Sequence, residues 1–277
     1  MRKILATFGG AAYDSTIERI VVGRNHFGYD EFKVYDDRWL LDHEFYRLNR
    51  EWWTKRDTKY NLENRGFGWF IWKPFVIMHA IEQASVGDVV LYIDADTYPI
   101  ADLTPLYDRC VKDAGIMLFK AQGCAQQNWC KRDTFIVMGQ DHPNWRFRQH
   151  AVARFMLFQK GTWRVQQFLC EWLVYCLNPF ANTFDQSSIL RKGVIGWTDD
   201  EQIDMNLGEY PELHEPRCEQ AILTNLAHKY AIHLYREACQ AGSPDVHPED
   251  SFYPQLFIQQ DVMGDKLDFN GSRFRNV

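Results

Sequence analysis

The clearest strand in the sequence is Val89-Val90-Leu91-Tyr92-Ile93, five strand-forming residues with no polar break. A strand apolar on both faces belongs in the middle of a sheet. Ser85-Val86-Gly87-Asp88 turns the chain into it, and Asp94-Ala95-Asp96 followed by Thr97-Tyr98-Pro99 ends it. Upstream, Ile4 to Phe8 reads as a buried strand running into Gly9-Gly10, and Ser15 to Val22 as a helix, which together open a βα unit. Phe32 to Tyr35 is a second short strand. Asp36-Asp37 can cap a helix from about Arg38 to Lys55, and Lys73-Pro74 precedes another from Phe75 to Gln83, with proline in the first turn. Downstream, Gly115 to Phe119, Thr134 to Met138 and Arg154 to Gln159 read as strands, and Thr162 to Cys176 as an amphipathic helix. Residues 180 to 216 are loop-like and acidic, a helix resumes from Cys218 to Tyr230, and the last forty residues read as an irregular wrap. The pattern predicts an α/β fold with a mixed, mainly parallel sheet flanked by helices.

At 277 residues with no evident linker, the chain is expected to form one domain. No run reaches the roughly 20 apolar residues of a membrane helix, so the chain is read as soluble or at most peripheral to a membrane. The N-terminal apolar run is short and meets glycine at once, unlike a signal peptide. Seven cysteines, an odd number with no CxxC pair, suit reduced thiols and a cytoplasmic location. A net charge of −6 argues against nucleic acid as a partner, because neutralising phosphates takes a basic patch. Aromatics make up 15% of the chain, and such side chains either pack the core or stack on sugar faces.

The candidate chemistry lies at the end of the central strand, where open α/β sheets bind ligands. Asp94 and Asp96, one residue apart, concentrate negative charge that a divalent cation would relieve. Mg²⁺ or Mn²⁺ completes its shell with water and phosphate oxygens, which lets an acidic protein hold a diphosphate. The same two aspartates can also cap a turn. A dehalogenase-like phosphatase also carries DxD after an apolar strand, but on its first strand and with Thr or Val where this chain has Tyr98. A nucleotidyltransferase would want a basic Gly-rich N-terminal loop, which Phe8-Gly9-Gly10-Ala11-Ala12 lacks, and a non-catalytic glycan-binding protein would need no metal.

Two longer strings carry more information. Arg65-Gly66-Phe67-Gly68-Trp69-Phe70-Ile71-Trp72-Lys73-Pro74-Phe75 and Gly87-Asp88-Val89-Val90-Leu91-Tyr92-Ile93-Asp94-Ala95-Asp96 resemble a group of bacterial and viral GT-A glycosyltransferases with the patterns RGYGYWxWKP and GDxxxYxDA. Cys130-Lys131-Arg132-Asp133-Thr134-Phe135 is similar to that group's TKRDxF, and Arg217-Cys218-Glu219-Gln220-Ala221-Ile222-Leu223 to its HRxDQSIL. The resemblance spans about residues 30 to 240. It implies a GT-A (Rossmann-like) fold, a UDP- or GDP-sugar donor bound by about residues 1 to 120, Mn²⁺ or Mg²⁺ at Asp94 and Asp96, and transfer of a hexosyl or deoxyhexosyl group to a glycan acceptor on the side formed by about residues 121 to 277. The chain departs from the pattern in having Asp96 where many members have Gly, Glu219 for Asp, Ala221 for Ser and Pro216 for His.

Other residues are candidates around that centre. Lys73 at a helix start could face a phosphate, or be a surface lysine. Trp69 and Trp72, with two residues between them on what reads as an extended piece, would place one ring on a sugar and the other inward. Thr7 and Phe8 end the first strand and should border the nucleotide, and Arg236 could neutralise diphosphate or sit in a salt bridge. If configuration inverts, a carboxylate base is required, and Glu219 or Asp185 would serve; both also suit helix starts, and a retaining reaction requires neither. GT-A enzymes often add a late histidine to the metal, for which His247 is the first choice and His233 the second.

Overall fold

A computed structural model of the chain describes residues 1–10, 13–54, 66–183, 208–242, 250 and 252–259. Its centre is a six-stranded sheet. Strand β1 (Lys3–Phe8) is followed by helices α1 (Asp14–Val22) and α2 (Arg24–Phe27) and then β2 (Glu31–Tyr35). Three short helices, α3 (Asp37–Asp42), α4 (Glu44–Leu48) and α5 (Arg50–Thr54), precede a helical turn α6 (Gly66–Trp69) and α7 (Trp72–Glu82). Then come β3 (Val89–Asp94), β4 (Thr97–Pro99), α8 (Thr104–Lys112) and β5 (Ile116–Ala125). Helices α9 (Arg132–Val137) and α10 (Pro143–Arg146) lead to β6 (Gln149–Gln159), α11 (Trp163–Cys176), α12 (Cys218–Lys229), β7 (Leu234–Tyr235) and β8 (Phe257–Gln259).

The strand order is β2-β1-β3-β6-β5-β7. β1 pairs in parallel with both β2 and β3, β6 runs antiparallel to β3 and β5, and β7 is parallel to β5. One reversed strand in an otherwise parallel sheet is the mixed, mainly parallel architecture that the hydrophobic pattern predicts. Its two faces are covered by different helices. Ile4, Ala6, Phe8, Val90 and Tyr92 pack with buried residues of α7, α11 and α12, while Leu5, Leu91 and Ile93 pack with Ile20 of α1 and with Leu106, Tyr107 and Cys110 of α8. Every residue from Val89 to Ile93 is fully buried, as a strand apolar on both faces requires.

The order reverses at β1: the chain places β2 on one side of it and β3 on the other. Crevices outside the carboxyl ends of strands at such a switch point are where open α/β sheets take ligands. In the β1–β3 register Phe8 stands opposite Asp94, so the aspartates lie at that switch point.

The structure corrects three element expectations. Residues 38–55 do not form one helix. Asp36 does cap α3, its Oδ1 accepting from Trp39 N at 2.8 Å, but the extended His43 stops it and caps α4 through Nδ1, which accepts from Phe45 N at 3.1 Å. Residues 134–138 lie in α9 or directly after it, not in a strand; so short an apolar run has no period that separates strand from buried helix. The Trp69 segment is not extended. Phe67, Gly68, Trp69 and Phe70 all have positive φ, 49°, 76°, 59° and 60°, a coiled stretch that feeds directly into α7.

Candidate functional site

Asp94 is the last residue of β3 and Asp96 sits just before β4. The loop after β1 closes directly on the residue between them: a Cβ added to Gly9 would lie 2.5 Å from the Cβ of Ala95, inside any permitted contact. Glycine at position 9 is therefore what lets the β1 loop reach the acidic pair. The two carboxylates then engage different partners. Asp94 Oδ1 accepts from the Tyr92 hydroxyl at 2.9 Å and lies 3.0 Å from Lys73 Nζ. Asp96 accepts from Thr97 Oγ1 at 3.0 Å and from Gln259 Nε2 at 3.3 Å. Separate hydrogen-bond partners do not make them electrically independent. Burial first, and the charge of Asp94 second, hold the Asp96 carboxyl above the ordinary aspartate range.

Lys73 is no surface lysine. It is 2% exposed, and its ammonium bridges Asp94, Glu219 Oε1 at 3.3 Å and the carbonyl of Ala153 at 3.1 Å. Burial alone would lower its pKa, but the two carboxylates outweigh that in sum and hold it above the usual lysine range. The lysine is delivered by the left-handed run before α7, whose backbone Asn182 clamps by donating to the carbonyls of Trp69 and Cys176 at 3.1 and 2.8 Å. Glu219 lies in the first turn of α12, where the helix N-terminus favours its charge, and is 5% exposed. Lys73 and Glu219 are thus brought into one cluster with Asp94.

On the other flank stands Arg154, on β6 beside β3. Its guanidinium bonds to Gln259 Oε1, lies 3.5 Å from Glu237 Oε1, and its charge acts on Asp96. Sequence pattern gave no sign of Arg154, Gln259, Tyr92 or Asn182. Gln259 reaches Asp96 only because β8 pairs antiparallel with β4, placing Thr97 opposite it.

Charge provides the test of whether a divalent cation suits these residues. Among the described residues Lys73 is shared by Asp94 and Glu219, and Arg154 by Asp96 and Glu237, so neither aspartate of the pair has a cation to itself. A divalent ion between them would relieve that charge. Among the described residues no group of three His, Cys, Asp or Glu converges to hold a metal. The set therefore resembles the sites of Mg²⁺-type cations, which take one or two carboxylates and draw the remaining ligands from phosphate and water, rather than an all-protein cage.

The remaining predicted residues are placed as follows. Thr7 is fully buried, its hydroxyl donating to Ile93 O at 2.9 Å, and so ties β1 to β3 beneath the site. Phe8 stacks on Trp72 with ring centroids 4.0 Å apart. Trp69 and Trp72 are both buried, so neither offers an open face to a sugar in this conformation. Arg236 is buried too, with its guanidinium 4.7 Å over Tyr253 and donating to the carbonyls of Tyr253, Pro254 and Glu237; it makes backbone contacts rather than a salt bridge. His233 pairs with Asp250 at 2.9 Å, at the β7 edge. Asp185 and His247 lie outside the described residues. All seven cysteines are free thiols, and no helix among the described residues is long and apolar enough to cross a membrane.

No family model matches the chain, and no curated protein matches it. Solved structures do. The chain is similar to mouse xyloside xylosyltransferase 1 in its apo form, at 11% identity over 95% of this chain and 98% of that one, with a TM-score of 0.47. It is similar to galactosyltransferase LgtC in complex with donor and acceptor sugar analogues, at 13% identity over 93% and 87%, TM-score 0.39. The apo glycosyltransferase GlyE of Streptococcus pneumoniae TIGR4 matches at 16% identity over 66% of this chain, TM-score 0.35, and the match spans only 40% of GlyE. Identities this low with TM-scores below 0.5 assign no family, activity or residue role to the chain.

Proposed function

We propose that the chain is a metal-dependent glycosyltransferase of the GT-A class, moving a hexosyl or deoxyhexosyl group from a UDP- or GDP-sugar to a glycan acceptor. One observation carries this reading: Asp94 and Asp96 stand one residue apart at the carboxyl end of the central strand, at the switch point of the sheet, with Lys73 divided between Asp94 and Glu219. Asp94 and Asp96 would hold Mn²⁺ or Mg²⁺ there, and the bound ion would supply charge to the leaving nucleoside diphosphate. The motif resemblance of residues 65–75 and 87–96 supports the same class, and the free cysteines fit a reducing, cytoplasmic setting.

The chain's own residues then divide the work. Tyr92 and Lys73 fix the Asp94 carboxylate from two sides, and Thr97 and Gln259 fix Asp96. Glu219 holds Lys73 in place; its carboxylate is occupied by that ammonium, so we assign it a positioning role rather than that of the acceptor's base. Lys73 gives its charge to Asp94 and Glu219, so neutralising phosphate would fall to the bound ion rather than to the lysine.

The experiment is a screen of nucleotide sugars for thermal stabilisation with and without Mn²⁺. Stabilisation by a UDP- or GDP-sugar that requires the metal and disappears in Asp94→Ala and Asp96→Ala supports the reading. Metal-independent binding that survives in both variants would sink it.

A further inference from the structure

At the outer end of the β5–β6 arm two guanidiniums stand in an acidic chain without a carboxylate partner among the described residues. Arg217, the residue before α12, has its guanidinium carbon 4.7 Å from the ring centroid of Trp129, and that of Arg148, the residue before β6, lies 4.8 Å from Trp145. Their backbones are stitched together. Gln126 N donates to Arg148 O at 2.8 Å, Trp129 N to Gln126 O at 3.0 Å, and Arg217 N to Trp129 O at 2.9 Å. The acids in this region are committed elsewhere: Glu212 to Arg146 and Asp141 to Arg132, with no ion pair joining Glu215 to either arginine among the described residues. Arg148 donates its Nε to Asn144 O at 2.8 Å, which fixes the plane and leaves its terminal nitrogens; Arg217 makes no side-chain hydrogen bond among the described residues.

A guanidinium held over an indole is restrained by cation–π contact and keeps N–H groups for another acceptor. Those N–H groups can bind a carboxylate or phosphate in bidentate fashion. Two such contacts on one stitched segment gather positive charge for an oxyanion, and that charge is felt inward: Arg217 acts on the buried ring of His150 and Arg148 on His228. The place is adjacent to the reaction centre, since Arg217 is two residues before Glu219, which faces Lys73 and Asp94.

We propose that Arg148 and Arg217, held over Trp145 and Trp129, form an oxyanion-binding site, and that its ligand is an acidic group, carboxylate or phosphate, carried by the glycan acceptor. The second clause rests on the glycosyltransferase reading; the first does not.

The test is an NMR titration of the arginine Nε–H and tryptophan indole signals of the full chain, in chelator and without nucleotide, with glucuronate in one arm and methyl phosphate in the other. Saturable shifts at Arg148, Arg217, Trp129 and Trp145 are expected, weakened roughly tenfold or more by R148M/R217M. R148K/R217K, which keeps charge and loses the fork, is expected to fall between. Tighter glucuronate binding assigns a sugar acid, and tighter methyl phosphate binding a phosphorylated acceptor. Absence of saturable binding in both arms, or equal binding by an R148M/R217M protein of unchanged melting point, overturns the site; if the double variant unfolds, the single variants R148M and R217M decide by the same comparison. Mn²⁺-dependent donor binding is measured separately and is expected unchanged in R148M/R217M. Its absence from the wild-type protein while the anion still binds would overturn the acceptor clause and leave the site standing.

Discussion

Lys73 and Glu219 form an ion pair of 3.3 Å in which both side chains are almost wholly out of water, at 2% and 5% exposure. A buried pair contributes little net stability compared with an apolar pair of the same shape, but losing one partner strands the other. Lys73→Met would remove the ammonium shared by Asp94 and the almost fully buried Glu219, and is expected to cost about 3–5 kcal/mol in urea unfolding. Adding Glu219→Gln to that variant is expected to return part of the loss, because the stranded buried charge is gone. A Lys73→Met loss below about 1 kcal/mol, the range of an exposed pair, would contradict the burial argument.

Glu219→Gln by itself separates holding from proton abstraction. A carboxylate acting as general base is worth about 10²–10⁴-fold in rate. A residue that acts through Lys73 is expected to cost less than about 100-fold in kcat and to weaken Mn²⁺ binding as well, since Asp94 loses its fixed neighbour. A drop of 10⁴-fold with Mn²⁺ affinity untouched would return the base role to Glu219.

Gly9→Ala tests the approach of the β1 loop to the acidic pair. The new methyl would lie 2.5 Å from the Cβ of Ala95, which neither backbone can accommodate without moving. Overpacking of this sort costs about 1–3 kcal/mol, and the displacement falls on the residue between Asp94 and Asp96. Metal-dependent stabilisation is therefore expected to suffer out of proportion to the melting temperature. Retention of both in a calorimetric comparison would show that the loop yields freely.

How far these features could be read in advance follows from the range of the interactions. β3 and its terminal aspartates are legible because a strand buried on both faces is a local, unbroken apolar run. The Asp36 cap is local as well. The helix expected over residues 38–55 fails at His43, where a side chain with no strong capping preference takes the Phe45 N–H and restarts the helix. Residues 134–138 mislead because a run as short as Phe135 to Met138, apolar throughout, fits either period. The long-range partners around Asp96 escape: Gln259 meets Asp96 from 163 residues away and Arg154 meets Gln259 105 residues away, pairings created by sheet order that leave no trace in spacing. Lys73 itself is visible as a motif letter, yet its burial is decided by the left-handed run at 67–70, which only Gly68 announces.

Acid sensitivity is expected from a residue outside the cluster around Asp94 and Asp96. His150, fully buried on β6, has a pKa lowered from 6.5 to about 3, first by burial and then by the charges of Arg217 and His228. The network fixes its tautomer. Gln126 spends its amide group on Ala221 O and Asn225 Oδ1, so its Oε1 accepts, and His150 Nδ1 must carry the hydrogen. Nε2 then faces the interior with no hydrogen-bond partner among the described residues, and a proton placed there would be a buried charge. The sign follows directly. Below pH 6.5 the unfolded chain binds a proton that the folded chain refuses, so stability present above that pH is lost as pH falls from 6.5 toward 3. The limiting slope from this one group is about 1.4 kcal/mol per pH unit. Urea unfolding of the wild-type chain and of His150→Gln between pH 7 and 4.5 tests it, and the variant is expected to lose that increment of slope even if it is less stable at pH 7. Parallel pH dependences in the two proteins would mean that His150 takes up its proton in the folded state, against the burial and the charges that surround it.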